Sequence, residues 1–209
     1  VENFDDMDML VDEIIALNQH LYDFWSKSSG WSPRSAAHLL SVSRLDWQVS
    51  LSRTLKLWVN IEDEDGEPGQ LILAWSNLGS LLEGTMKWYL SVFKDDYDRE
   101  PLLTSNGNVL APEGLNLGKL QSFFEEKVWS DRQIQEWGHW IDRVRRCRNA
   151  VHAYQNRDIG TFDEYRECVC KYREFLIDLD MQVPYPDEYA FPRVVWEIWH
   201  RPYPQAFRR

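Results

Sequence analysis

Apolar residues recur along this chain at alternating steps of three and four, while strict alternation of period two is scarce, so the pattern predicts an all-α protein. Met7, Leu10, Ile14, Leu17, Leu21 and Phe24 form one stripe and predict a first helix over about residues 5–26. A second helix is expected over about 34–60, carrying Leu39, Val42, Leu45, Val49, Leu55 and Trp58, and a third over about 70–93, carrying Leu71, Trp75, Leu78, Leu82 and Tyr89. A short helix is expected over about 119–128. Ser130 with Gln133 and Thr161 with Glu164 match the capping box, and they open predicted helices over about 131–154 and 162–179. The expected architecture is an up-and-down helical bundle over residues 1–183.

Three segments interrupt the pattern. Residues 62–69 are acidic with two glycines and read as a solvated turn. Residues 95–118 form a long polar connection, the best candidate for a mobile or functional loop. Past Val183 the prolines exclude a further long helix, except over about 194–200. Residues 184–209 are therefore expected to lie on the bundle as an aromatic tail.

Composition narrows the possibilities. In 209 residues, 44% hydrophobic content excludes global disorder, and 34 acidic against 23 basic side chains give a formal charge of −11. Such a chain lacks the broad positive field of a protein that coats DNA, so any nucleic-acid contact must be local. Residues 1–6 lack the basic start and apolar core of a signal peptide, and the longest uncharged stretch, Pro68 to Leu82, is too short to span a bilayer. With three unpaired-looking cysteines, Cys147, Cys168 and Cys170, a cytoplasmic setting and no membrane partner are expected. Of the 11 tryptophans, Trp25, Trp47, Trp58, Trp75, Trp88, Trp137 and Trp140 fall within predicted helices and are expected in the core, a base-stacking platform or flat interface being the alternative.

The densest chemistry lies between Asp142 and Tyr154. On a wheel of about 100° per residue with Ile134 at zero, Trp137, Trp140, Ile141, Val144, Cys147, Val151 and Tyr154 form the core-facing stripe. Arg148 at about 320°, His152 at about 0° and Arg145 at about 20° converge on one edge of it, with Asn149 near at about 60°. Arg148 occupies a step that otherwise holds apolar residues, and a charge there is costly unless paired. The pattern suggests a half-buried polar cleft, possible between two subunits. The ordinary alternative is that Arg148 pairs with an acid from a neighbouring helix while His152 caps a carbonyl.

The run Arg145-Arg146-Cys147-Arg148-Asn149-Ala150-Val151-His152 resembles the signature of HEPN domains, helical bundles in which Arg, four to six residues and then His mark a metal-independent ribonuclease site. Arg145 and Arg146 meet that spacing with six and five intervening residues, whereas Arg148, followed by a family-like Asn149, stands three residues before His152. Which arginine is catalytic stays open. The resemblance implies RNA cleavage of a toxin–antitoxin or antiphage type, a homodimer with facing motif helices, an RNA substrate, a cognate antitoxin or partner protein, and no cofactor. The competing implication is a catalytically inert HEPN-like module that binds a partner protein or nucleotide.

The chemistry itself follows from the side chains. When a 2′-hydroxyl attacks its own phosphate, His152 can move the proton, and Arg148 or Arg145 can hold two phosphate oxygens and stabilise the growing charge. Asn149 can orient the imidazole or the backbone of the RNA. Arg143, Arg146, Arg157 and Tyr154 are the candidate RNA contacts around them.

Other constellations are weaker. Glu136…His139 and Glu197…His200 read Glu-x-x-His, as in di-iron bundles, but His139 projects away from the apolar stripe and the second copy lies in the tail. Asp95-Asp96-Tyr97-Asp98 lacks a calcium-loop pattern, Cys168 and Cys170 read as packing, and His20 and His38 read as surface or interface residues. No phosphate loop follows Gly66–Gly69, and no serine sits in a nucleophile elbow.

Overall fold

A computed structural model describes residues 4–152, 154 and 156–201. In chain order the α-helices are α1 (Phe4–Trp25), α2 (Arg34–Val42), α3 (Leu45–Thr54), α4 (Lys56–Val59), α5 (Pro68–Val92), α6 (Lys94–Tyr97), α7 (Leu117–Phe123), α8 (Asp131–Arg148), α9 (Phe162–Asp180) and α10 (Arg193–His200). Among the described residues the only extended pairing is an isolated bridge between Leu103 and Val109. The protein is an all-α helical bundle.

α5 is its pillar. Fifteen of its residues are buried, among them Leu71, Trp75, Leu78, Leu82, Met86 and Trp88, because α2, α3, α7, α8 and α9 all pack against it. Each large apolar side chain so covered contributes about 1.5–3 kcal/mol. Pro68 sits at the start of α5, and the Gln70 side chain accepts from the Glu67 N–H at 2.8 Å. Gly79 lets the stem of Arg148 on α8 lie against the α5 backbone: a Cβ added there would stand 2.5 Å from Cδ and 2.9 Å from Cβ of Arg148. The expected boxes open the two late helices, with the Ser130 N–H donating to Gln133 at 3.2 Å and the Thr161 N–H donating to Glu164 at 2.9 Å.

The expected second helix is broken into α2, α3 and α4. Ser43 turns to extended backbone while its hydroxyl donates to the Leu39 carbonyl, and the hydroxyls of Ser52 and Thr54 donate to the carbonyls of Val49 and Leu51. Such local bonds compete with the helical ladder at positions where no Gly or Pro warns of a break. The kinks change the phase, leaving Val42 exposed and Trp47 out of the core, where it stacks under the Arg44 guanidinium at 4.0 Å.

The connection over 95–118 also differs from expectation. It contains α6, the Leu103–Val109 bridge and a 3₁₀ turn over Pro112–Gly114, and the buried Tyr97 hydroxyl bonds the Leu110 carbonyl. The expected short helix starts at Leu117 and ends in a π-helical turn over Phe124–Val128.

Residues 184–201 pack against α1 and α9; residues 202–209 of the expected tail, with the prolines at 202 and 204, fall outside the described residues. The tail's anchor corrects the reading of His20 as a surface or interface residue, for His20 is buried within the chain among Phe24, Tyr185, Tyr189 and Phe191. The Tyr185 hydroxyl donates to Asp180, which leaves its oxygen to accept from His20 Nε2 at 3.1 Å and Trp25 Nε1 at 3.3 Å. His20 Nδ1 then accepts from the Tyr189 hydroxyl at 3.4 Å, and Trp199 Nε1 donates to Asp180 at 3.2 Å. Buried Glu13 takes Arg173 and Arg201, tying α1 to α9 and to the end of α10. Val195 and Ile198 join the same apolar core as the bundle.

Two predictions follow from this packing. Burial pushes His20 down to about 4 from 6.5, and burial pushes Asp180 up to about 7 from 3.8. Between pH 6.5 and about 4 the unfolded chain protonates His20 first, so that group removes stability on acidification; between pH 7 and about 4 the native state protonates Asp180 first, so that group adds it. Each amounts to roughly 2–4 kcal/mol, and the two offset. Denaturant titrations from pH 7 to 4 should show His20→Phe gaining stability as pH falls and Asp180→Asn losing it. Gly79→Ala, which would add about 1 kcal/mol in an open helix, should instead cost about 1–3 kcal/mol, read by the same titration at pH 7.

Candidate functional site

The motif arginines fall in the last two turns of α8, and His152 does not share that helix. α8 ends at Arg148, and residues Asn149–His152 wind as a 3₁₀ turn. At three residues per turn each step advances about 120° instead of 100°, so the wheel drawn through the motif loses phase beyond Arg148. Two residues expected in the core stripe come out of it: Val151 is 47% exposed and Tyr154 fully so. Asn149 and His152 are exposed on the same turn.

The arginines are held by separate partners. Arg148 is half-buried and its Nη1 lies 2.6 Å from Glu83 of α5. Glu83 is also bound by Lys87 at 2.8 Å, so one carboxylate carries two cations. Burial pushes the Glu83 carboxyl up, but Lys87 and Arg148 outweigh it and hold the group below its ordinary value. Arg145 pairs with Asp142 at 2.5 Å and lies beside Gly118 of α7, with its Nε buried and unpartnered. Arg146 is exposed and reaches the other Asp142 oxygen at 3.0 Å, which together with Arg145 holds that carboxyl below its ordinary value. Arg143 pairs with Glu164 at 2.9 Å, next to Gly160, whose φ of +69° and crowding by both side chains suit only glycine. Arg157 is exposed.

The sequence-expected convergence of Arg145, Arg148 and His152 on one edge is thus redistributed: Arg148 is fixed against α5, Arg145 beside α7, and His152 stands in solvent one turn further on. Half of the ordinary alternative is met by the Arg148–Glu83 pair; no bond from His152 to a carbonyl occurs among the described residues. The residues that sequence reasoning missed are Glu83, Lys87, Asp142 and Glu164. A signal existed for the first two, because they are the only charged residues in the 25-residue α5 and stand four apart.

The remaining constellations resolve into packing and local pairs. Glu136 pairs with Lys171 at 3.2 Å, Glu197 with Arg193 at 2.6 Å, and the His200 ring lies 4.0 Å from that of Trp196. No group of three or more His, Cys, Asp or Glu able to hold a metal occurs among the described residues. All three cysteines are buried, and burial pushes the Cys168 thiol up to about 12, far from a reactive thiolate. Asp96 and Asp98 pair with Arg99 and Lys94. Among the described residues no helix is long and apolar enough to cross a membrane.

Comparison with known proteins returns no matching family model, no matching curated protein and no matching solved structure.

Proposed function

We propose that this chain is a HEPN-like, RNA-acting protein, a metal-independent endoribonuclease of the toxin–antitoxin or antiphage type that works as a homodimer in the cytoplasm. The observation that carries the reading is the division of labour at the end of α8: Arg148 is fixed by Glu83, while Asn149 and His152 are exposed on the 3₁₀ turn that follows it and Tyr154 is exposed beyond that turn. In this reading a phosphate arriving there is offered the exposed imidazole of His152 and a guanidinium whose orientation Glu83 sets beforehand.

In this reading His152 takes the proton of the 2′-hydroxyl, the 2′-oxygen attacks phosphorus, and the bond from phosphorus to the 5′-oxygen breaks. The departing 5′-oxygen receives a proton from the same imidazole in a second copy of the chain. Arg148 or Arg145 neutralises the charge on the pentavalent phosphorus, and Arg143, Arg146, Arg157 and Tyr154 hold the flanking backbone. The products are a 2′,3′-cyclic phosphate and a 5′-hydroxyl. The exposed apolar and aromatic side chains of Val151 and Tyr154 give two such turns a surface on which to meet.

A second reading, an inert HEPN-like module that binds a partner protein or nucleotide, is favoured by one specific fact: Arg143, Arg145, Arg146 and Arg148 each have a carboxylate partner. A phosphate must compete with or share these guanidinium groups with their acids, which the overall charge of −11 does not assist.

Incubation of the purified protein with RNA in excess EDTA separates the two. The nuclease reading expects cleavage with cyclic-phosphate ends, lost by more than about 100-fold in His152→Ala; intact RNA with both proteins, accompanied by altered assembly in the variant, supports the inert module. Stability separates the roles of the arginines under either reading. Arg148→Met should cost about 1–3 kcal/mol in a denaturant titration, because half-buried Glu83 keeps only Lys87, whereas Arg146→Ala should change stability by less than about 0.5 kcal/mol.

A further inference from the structure

Residues 183–201 form an arm that leaves α9 at Met181 and Gln182, both exposed, and contains no helix before α10. Pro184, Pro186 and Pro192 stiffen it by presetting φ. Its bonds run to α1 and α9: Tyr185 to His20, Trp25 and Asp180, Tyr189 to His20, Trp199 to Asp180, and Arg201 to Glu13. Arg173 Nη2 donates to the Ile198 carbonyl at 3.1 Å and so holds the last turn of α10. Val195 and Ile198 are buried and Trp199 partly so, at the i, i+3 and i+4 positions by which an amphipathic helix fills a groove. The arm thus sits on the bundle as a tethered ligand sits on its receptor.

The receiving face is selective. Asp180 is buried, and among the described residues its side chain accepts only from the Tyr185 hydroxyl and the Trp199 indole, while the His20 ring bonds only to Tyr185 and Tyr189. Without those partners a buried carboxylate and a buried imidazole are left unsatisfied, at a cost to the bundle. An occupant must therefore offer the phenols of Tyr185 and Tyr189, the indole of Trp199 and the guanidinium of Arg201 in that order, and the sequence that does so is the arm itself. Met181 keeps helical angles, φ −71° and ψ −14°, so a new direction at Gln182 and Val183 redirects the arm without remaking its contacts.

We propose that the arm exchanges between two copies of this chain, each arm filling the α1–α9 face of the other copy, to give a reciprocally swapped dimer. Every contact of the closed chain is recreated in the pair, and only the hinge differs. Within one chain the tether holds the arm at an effective concentration on the order of mM, so the swapped pair gains as the protein approaches that concentration. This dimer uses no residue of α8 or of the turn bearing His152, and it is separate from the meeting of those turns in the RNA reading.

The test mixes equal amounts of ¹⁴N- and ¹⁵N-labelled full chain carrying Arg201→Lys, at about 10 µM and about 1 mM, and adds a carbodiimide to join Glu13 to the amine at residue 201. The pair of Asp12 and Lys56, at 2.7 Å between α1 and α4, is the internal control. The expected result is that mixed-isotope Glu13 links rise with concentration toward about half of the total, the value for random assortment, while Asp12–Lys56 links stay within one isotope. Adding His152→Ala should change neither, so failure here and failure of the RNA reading are distinguishable. A second measurement needs no cross-link: Ile198→Asp spoils the arm of one pool of full chain and Glu13→Arg the receiving face of another, and sedimentation of the mixture should show a complex that neither pool forms alone. The proposal is overturned if the Glu13 links at about 1 mM are no more mixed than those of Asp12 and Lys56, or if, where no link forms, the mixture sediments as its separate pools do.

Discussion

A carboxylate drawn into the side of a helix bundle must be neutralised there, and Glu83 is neutralised by two cations from different helices. Lys87 reaches it along α5, and Arg148 reaches it from α8 across a contact that only Gly79 permits. Burial pushes the Glu83 carboxyl up, and Lys87 and Arg148 beside it outweigh that and hold it below its ordinary value. This junction ties the last turn of α8 to the pillar helix, immediately before the exposed turn that bears His152.

The same logic of charge compensation recurs at the other end of the molecule. Glu13 collects Arg173 and Arg201, and the His20, Tyr185 and Asp180 network seats the tail on α1 and α9. In that network every ring nitrogen and hydroxyl has one consistent role, which keeps the imidazole neutral and places the proton of Tyr185 on the Asp180 side. The proline-rich stretch over residues 183–192, which forms no helix of its own, is thereby given a fixed position ahead of α10 by hydrogen bonds and ring contacts.

Much of the helical plan is legible in the chain. The stripes of α1, α5 and α9 and the capping boxes before α8 and α9 are local patterns, and the structure reproduces them to within a few residues. The breaks between α2, α3 and α4 are not legible in the same way, because serine and threonine hydroxyls bonding back to carbonyls leave no Gly or Pro behind. Arg148 was identifiable as a charge out of phase with its apolar neighbours, and the requirement for an acidic partner followed. Which acid supplies it did not follow, although the isolated Glu83 and Lys87 in an otherwise uncharged helix were a readable clue. His152 was placed on the α8 wheel by extrapolating one helical period past a point where the backbone tightens.

Periodicity and capping depend on residues within a turn or two of each other, and for that reason the sequence alone determined an all-α chain, its principal helices and the crowding of arginines near residue 148. Burial and charge pairing depend on which helices become neighbours, a property of the whole packed chain. The tertiary structure alone therefore decided that His20 is interior, that Trp47 is not, that Arg148 is answered by Glu83, and that the imidazole at 152 faces water.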